Sequence, residues 1–200
     1  MANAIQLPAP QIDLDFPLMR AIEIRRTRRK WQSCDLSDQE ISNLLWVAAG
    51  VTHGQTKRSK SRRTAPSACN SQEVKVYVAL AKGVYLFDEN EHRLILVLSQ
   101  DIRKDIGTQK MMHSAPLGLI YVSDFSKLKS IFFRNDNQKW FTSAADTGFM
   151  SQNVYLYCAA AGLSTAVLSL VNRDKLHKIM ALKECEKIVY TQVVGKSAGC

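Results

Sequence analysis

Apolar and polar residues alternate over Val74–Leu80, and the pattern resumes over 84–87 after the Lys82-Gly83 turn. This period of two predicts a half-buried β-hairpin. A third β segment, Arg93–Leu98, follows the polar turn Asp88-Glu89-Asn90, and the run Leu-Gly-Leu-Ile-Tyr-Val at 117–122 reads as a buried strand. Ahead of these segments the period is helical. Leu18, Ala21, Ile22 and Ile24 share one face over 17–26, with Pro17 in the favoured first turn. Ser37 with Glu40 three residues on forms a capping box, and Ile41, Leu44, Leu45, Ala48 and Ala49 recur behind it at helical spacing. Residues 101–112 read as a further helix that ends before Pro116.

Between Trp140 and Val171 the one charged residue is Asp146. Helical periodicity persists over 140–161, a rod of roughly 33 Å. A helix with so little charge on any face has to be enclosed on most sides. A 200-residue monomer has difficulty enclosing one that long, so a subunit interface is expected. A short strand at 167–170, a helix at 173–182 beginning near the Asn172 cap and a closing strand at 187–194 complete the chain. The fold class is therefore α+β: a mostly antiparallel central sheet packed by helices, one of them buried. A lead-in segment, 1–16, precedes a single domain, 17–200. A chain of this length buries roughly 70% of its unfolded surface.

Composition narrows the function. The hydrophobic content is 46% and the charged content 22%, as in ordinary soluble domains. The longest apolar run, 154–163, is far short of the ~20 residues that span a bilayer, so no membrane role is expected. The start, MANAIQLPAPQ, has neither a basic nor an apolar signal region, which points to the cytoplasm, although Ala2-Asn3-Ala4 resembles the end of a cleavage site. Cys34, Cys69, Cys158, Cys185 and Cys200 form no CxxC pair and read as reduced thiols; the four histidines never fall at ligand spacing, so no metal is expected. The net charge of +9 is concentrated in 25–30 and in Lys57, Arg58, Lys60, Arg62 and Arg63. The second cluster sits in a Ser/Thr-rich loop without interleaved aromatics for base stacking, so no nucleic acid is expected, and a solvated basic loop or an anionic small molecule is favoured.

Three segments carry candidate chemistry. Arg25-Arg26-Thr27-Arg28-Arg29 offers guanidinium groups and a hydroxyl suited to a phosphate. The turn Pro66-Ser67-Ala68-Cys69-Asn70 offers backbone and amide groups, and Ala161-Gly162-Leu163 is a small-residue helix exit that lets main chain approach a flat ring. Together they suit a large, planar, phosphorylated cofactor. No GxGxxG or P-loop is present, and no Ser/His/Asp or paired-carboxylate constellation marks a catalytic residue.

The order Arg-Arg-Thr-x-Arg, Arg-Thr-x-Pro-Ser-Ala-x-Asn-x-Gln and Ser-Gln-Asn…Ala-x-Gly-Leu, with Val193-Val194-Gly195-Lys196 at the close, resembles the nitroreductase family of flavoproteins in its SagB-type dehydrogenase branch. The resemblance implies a nitroreductase-like fold and FMN at the interface of an intertwined homodimer. It places Arg25, Arg26, Thr27 and Arg29 at the phosphate and ribityl chain, with Lys196 as a second phosphate contact. Pro66, Ser67, Ala68, Cys69 and Asn70 would come from the other subunit against the ring. Leu168, Ser169 and Leu170 would pass the opposite edge, where a backbone N–H reaches the flavin N5. The implied activity is NAD(P)H-dependent reduction of a nitroaromatic, quinone or similar small molecule by a ping-pong cycle. Two alternatives stay open: a flavin dehydrogenase that oxidises a heterocycle or another small substrate, and a non-catalytic basic dimer that binds anions or nucleic acid.

Overall fold

The computed structural model describes residues 4–56, 61–109 and 113–198. A short strand, β1 (Ala4–Gln6), precedes helices α1 (Leu18–Ile24) and α2 (Asp38–Ala49). A narrow ribbon of β2 (Val51–His53) and β3 (Arg62–Arg63) leads to a 3₁₀ turn at Ala68–Asn70. Strands β4 (Val74–Leu80), β5 (Gly83–Asp88), β6 (Arg93–Leu98) and β7 (Leu117–Asp124) follow, then a second 3₁₀ turn at Phe125–Lys127. Helix α3 (Asp136–Ala160), β8 (Leu163–Leu168), α4 (Arg173–Ile179) and β9 (Glu186–Lys196) complete the order.

Seven strands form one sheet in the order β1-β6-β5-β4-β7-β9-β8, and every pairing is antiparallel. Because side chains alternate across a strand, β4 feeds two cores. Val74, Val76 and Val78 pack with Leu44 and Leu45 of α2 and Val154 of α3, whereas Tyr77 and Ala79 pack on the opposite face with Ile102, Ile106 and Leu176. Each large apolar side chain buried this way contributes about 1.5–3 kcal/mol.

The helix starts follow from side-chain caps. Ser37 Oγ accepts the Glu40 N–H at 3.2 Å, and Glu40 Oε2 accepts the Ser37 N–H at 2.7 Å, closing the expected box. Asn172 Oδ1 accepts the Lys175 N–H at 3.0 Å, so α4 begins where the sequence places it. Asn135 Oδ1 accepts the Gln138 N–H at 3.0 Å, and α3 therefore starts ahead of Trp140 and runs for 25 residues. Asp136 and Lys139 lie in its first turn, so Asp146 is not the sole charge on the whole helix.

Three expectations are corrected. Residues 101–109 are irregular and not helical; residues 110–112 of that expected helix lie outside the described residues. Ile102 and Ile106 do share a buried face, but the backbone between β6 and β7 bonds to other elements: Thr191 donates its hydroxyl to Ile106 O, and Thr108 N–H to Leu170 O at 3.1 Å. A Cβ at Gly107 would lie 2.6 Å from Leu168 Cδ1, which shows how closely this segment is pressed on β8. Strand β8 begins at Leu163 and ends at Leu168, where the sequence suggests 167–170, because its whole length pairs with β9. Finally, α1 stops at Ile24, so the arginines follow the helix, and Arg26 reaches back to donate to Glu23 O in its last turn at 2.8 Å.

Helix α3 buries Ser143, Asp146, Thr147, Met150, Val154 and Cys158, but its other face is open. Phe141 is 80% and Phe149 49% exposed, and among the described residues nothing lies within 4 Å of a Cβ built on Gly148. Leu18 (63%), Met19 (75%) and Ile22 (47%) of α1 are exposed as well. The described residues of one chain do not enclose this helix.

Candidate functional site

Beyond α1, the arginine segment runs beside β8, the last strand of the sheet. Arg28 N–H donates to Thr165 O at 3.0 Å, using an outward carbonyl of that edge strand. Tyr155, on α3, fastens the same segment. Its hydroxyl accepts the Val167 N–H at 3.1 Å and lies 3.1 Å from Thr27 Oγ1, and the Arg25 guanidinium lies 5.4 Å from the centre of its ring. Since the hydroxyl already accepts from Val167, its own proton is available to Thr27. A cavity of ≈ 230 Å³ lies between Arg26 and Arg28 on one side and Tyr155, Cys158 and Gly162 on the other. Burial pushes the Cys158 thiol well up from its ordinary value, so it forms an inert wall there.

Among the described residues, this segment's guanidinium groups meet carbonyls and a ring but no carboxylate. Arg26 donates to the carbonyls of Glu23 and Arg25 at 2.8 and 2.9 Å, and Arg25 stacks on Tyr155. Among the described residues, none of Arg25, Arg26, Arg28 and Arg29 joins an ion pair. Lys196, at the end of β9, is engaged: its Nζ lies 3.6 Å from Glu40 Oε2. It nevertheless reaches the same region, because Gln32 N–H donates to Lys196 O at 2.9 Å and Trp31 bridges to Ser197.

Gly162 follows the end of α3 and turns the chain into β8. Its φ is +69°, and a Cβ there would meet nothing within 4 Å. Glycine serves a left-handed turn at this position, not a close approach within the chain. Leu168 is buried with its side chain against Gly107, whereas Ser169 and Leu170 are exposed. Of the three, Leu168 can offer an open site only its backbone.

The segment 66–70 is held elsewhere along α3. Asp146 Oδ2 accepts the Ala68 N–H at 2.9 Å, about 13 Å along the helix from Tyr155 at 1.5 Å per residue. Cys69, Asn70 and Gln72 all have positive φ (54°, 48° and 50°), so the chain curls tightly. Side chains sustain the curl. Ser67 Oγ accepts the Gln72 N–H at 3.0 Å, Asn70 Nδ2 donates to Ser61 O at 3.0 Å, and Gln72 Nε2 donates to Asn70 Oδ1 at 3.0 Å. Asn70 thus has both ends of its amide engaged within the loop. Ser67 keeps its O–H to give, Pro66 stands beside it, and Cys69 is exposed as a free thiol.

One chain therefore brings Arg25, Arg26 and Thr27 to the outer edge of β8, and keeps Pro66, Ser67, Ala68, Cys69 and Asn70 on an earlier turn of α3. Two supports escape sequence reasoning. Tyr155 has no local signal, being one of several aromatics in a helix with few charges. Asp146 is conspicuous as a charge, but its partner Ala68 is remote in sequence. Burial, then the neighbouring Glu73, push the Asp146 carboxyl up to about 7, against the opposing effect of the Ala68 N–H.

Residues 22–196 match the model of the nitroreductase family. The crystal structure of a protein assigned as a nitroreductase from Ralstonia eutropha JMP134 aligns with a TM-score of 0.87 at 34% identity, over 98% of this chain and 90% of that one. A protein assigned as a nitroreductase from Methanocaldococcus jannaschii is 23% identical over 194 residues, 92% of this chain and 93% of its own. In fold alone, the E. coli microcin synthetase McbBCD complex with truncated pro-MccB17 bound is similar, with a TM-score of 0.71 at 19% identity over 85% of this chain and 68% of that one.

Proposed function

Because this chain belongs to the nitroreductase family, we propose that it is an FMN-dependent oxidoreductase that works as a homodimer. The observation that carries the reading is the arginine segment at the edge of β8, fastened by Tyr155 and free of carboxylate partners among the described residues. A set of guanidinium groups with no acid to neutralise them fits a phosphate, which accepts bidentate hydrogen bonds.

In this reading Arg25, Arg26 and Arg29 hold the phosphate, Thr27 the ribityl chain, and Lys196 adds charge from the end of β9. Leu168, Ser169 and Leu170 present backbone to the flavin edge that carries N5. Pro66, Ser67, Ala68, Cys69 and Asn70 of the partner subunit close the other side, with the Ser67 O–H as the free donor. When bound, FMN supplies the two-electron chemistry that links NAD(P)H to a nitroaromatic, quinone or similar acceptor. The protein's part is to bind, orient and shield. The close of β9, Val193-Val194-Gly195-Lys196, leads us to place the chain in the SagB-type branch.

The dimer draws support from the open face of α3. Phe141, Phe149 and the bare Gly148 lie there, and the exposed Leu18, Met19 and Ile22 of α1 add further apolar surface. A monomer with that much apolar surface in water is disfavoured. The separation of the two half-sites along α3 also suits a site assembled from two chains.

The deciding experiment is a spectrum of purified protein. A yellow protein whose released cofactor has the mass of FMN, bleached anaerobically by NADH or NADPH, supports the proposal. A folded dimer that takes up no FMN when it is supplied refutes it.

A further inference from the structure

Asp146 is 4% exposed and Glu73 0% exposed, and both line one small cavity beside Pro66 and Ser67. Asp146 Oδ2 holds the Ala68 N–H. Glu73 Oε2 accepts the Ser71 hydroxyl at 2.7 Å, while Glu73 Oε1 is buried without a donor. Two ionised carboxylates cannot bond each other, because both only accept. One proton between them gives Glu73 Oε1 its donor and leaves Asp146 Oδ2 for Ala68.

Among the described residues, no cation neutralises the pair. Arg63 of β3 lines the same small cavity, but its terminal nitrogens go to Val74 O and Glu89, and its Nε is buried without an acceptor. Lys127 donates to Gln72 O at 2.9 Å, Lys75 pairs with Glu186 at 3.1 Å, and Asp124 accepts the Ser126 hydroxyl at 2.6 Å. Helix α3 itself carries no other charge beyond Trp140. Among the described residues, neither Asp146 nor Glu73 is in an ion pair.

The geometry points to Asp146 and Glu73 as a pair of positioning residues that share one proton, and this proton holds the 66–70 segment in the shape that receives the cofactor. The functional consequence rests on the flavin reading above; the latch itself does not. The sign follows from the raised Asp146 carboxyl. The held state has its full stabilisation below the ordinary carboxylate range and loses it as pH rises through about 7, when the proton goes to solvent and two buried carboxylates repel.

Two measurements test this. In flavin-free, ¹⁵N-labelled protein, the Ala68 amide resonance should titrate with a midpoint near 7, and Asp146→Asn should abolish the titration. The asparagine amide accepts from Ala68 and donates to Glu73 at every pH, so it mimics the protonated state. FMN titrated into the wild-type protein should bind at least five-fold more weakly at pH 8.5 than at pH 6.5, relative to Asp146→Asn measured in parallel. The phosphate ionises alike in both proteins, so only the difference counts. Glu73→Gln is a second variant with the same expectation, should Asp146→Asn fail to fold. A flat Ala68 resonance, or a variant whose FMN affinity follows the wild-type pH dependence, overturns the proposal. Wild-type protein that binds no FMN at any pH refutes the flavin reading, and the Ala68 titration then decides the latch alone.

Discussion

The hydroxyl of Tyr155 lies 3.1 Å from Thr27 Oγ1, and this contact joins the middle of α3 to the segment that follows α1. The same oxygen accepts the Val167 N–H, so one atom ties three elements together. Tyr155→Phe removes both bonds but keeps the ring under Arg25. We expect a loss of about 1–2 kcal/mol in urea unfolding with an unchanged m-value. We also expect weaker FMN binding, because the arginine segment loses its tether. Unchanged values for both would show that the contact contributes nothing.

Phosphate binding is tested at Arg25 and Arg29. Loss of one charge-assisted bidentate contact should cost ~1.5–3 kcal/mol, hence roughly ten- to a hundred-fold in FMN affinity. The assignment fails for either arginine if its alanine variant purifies with full flavin and binds it as tightly as wild type does.

Much of this architecture is legible from side-chain periodicity. Val74–Leu80 is a strand over the stretch that its alternation marks, Arg93–Leu98 over the apolar run that follows a polar turn, and Ser37 caps α2 where the box predicts. What escapes the sequence depends on remote partners. Ile102 and Ile106 repeat at helical spacing, but Thr191 and Leu170, far along the chain, take up that segment's backbone groups. The strand after Gly162 is longer than its apolar core because β9 pairs along all of it. The site divides in the same way. Arginines announce themselves by charge, whereas Tyr155 matters for a hydroxyl whose partners lie on other elements, and Asp146 for a backbone N–H far from it in sequence.

The open face of α3 predicts the oligomer. Sedimentation should give about twice the 22.5 kDa chain mass. Phe149→Asp places a charge among apolar neighbours on that face and should shift the protein toward monomer, with loss of bound flavin. A folded wild-type monomer at micromolar concentration would refute a site built from two chains.

Complementation tests the shared site directly. A subunit with Arg25→Ala and Arg29→Ala is mixed with one carrying Ser67→Ala and Asn70→Ala. If each site draws on both chains, the heterodimer regains one intact site and about half the wild-type flavin. Recovery near zero in a verified heterodimer would place each site within a single chain.

Strand β8 is an uncharged Leu-Ser-Thr-Ala-Val-Leu stretch at the end of the sheet. A terminal strand of that kind is a template on which a second molecule can pair and aggregate. Here its outward Thr165 carbonyl and Val167 N–H are already taken, by Arg28 and Tyr155, and the covering segment carries five positive charges in the six residues 25–30. The segment assigned to an anion therefore also stops the sheet from growing, by occupying its rim and by repelling a like copy. Neutralising all five charges at once would produce insoluble protein, easily mistaken for loss of cofactor. Single substitutions, which leave four charges on the rim, separate solubility from binding.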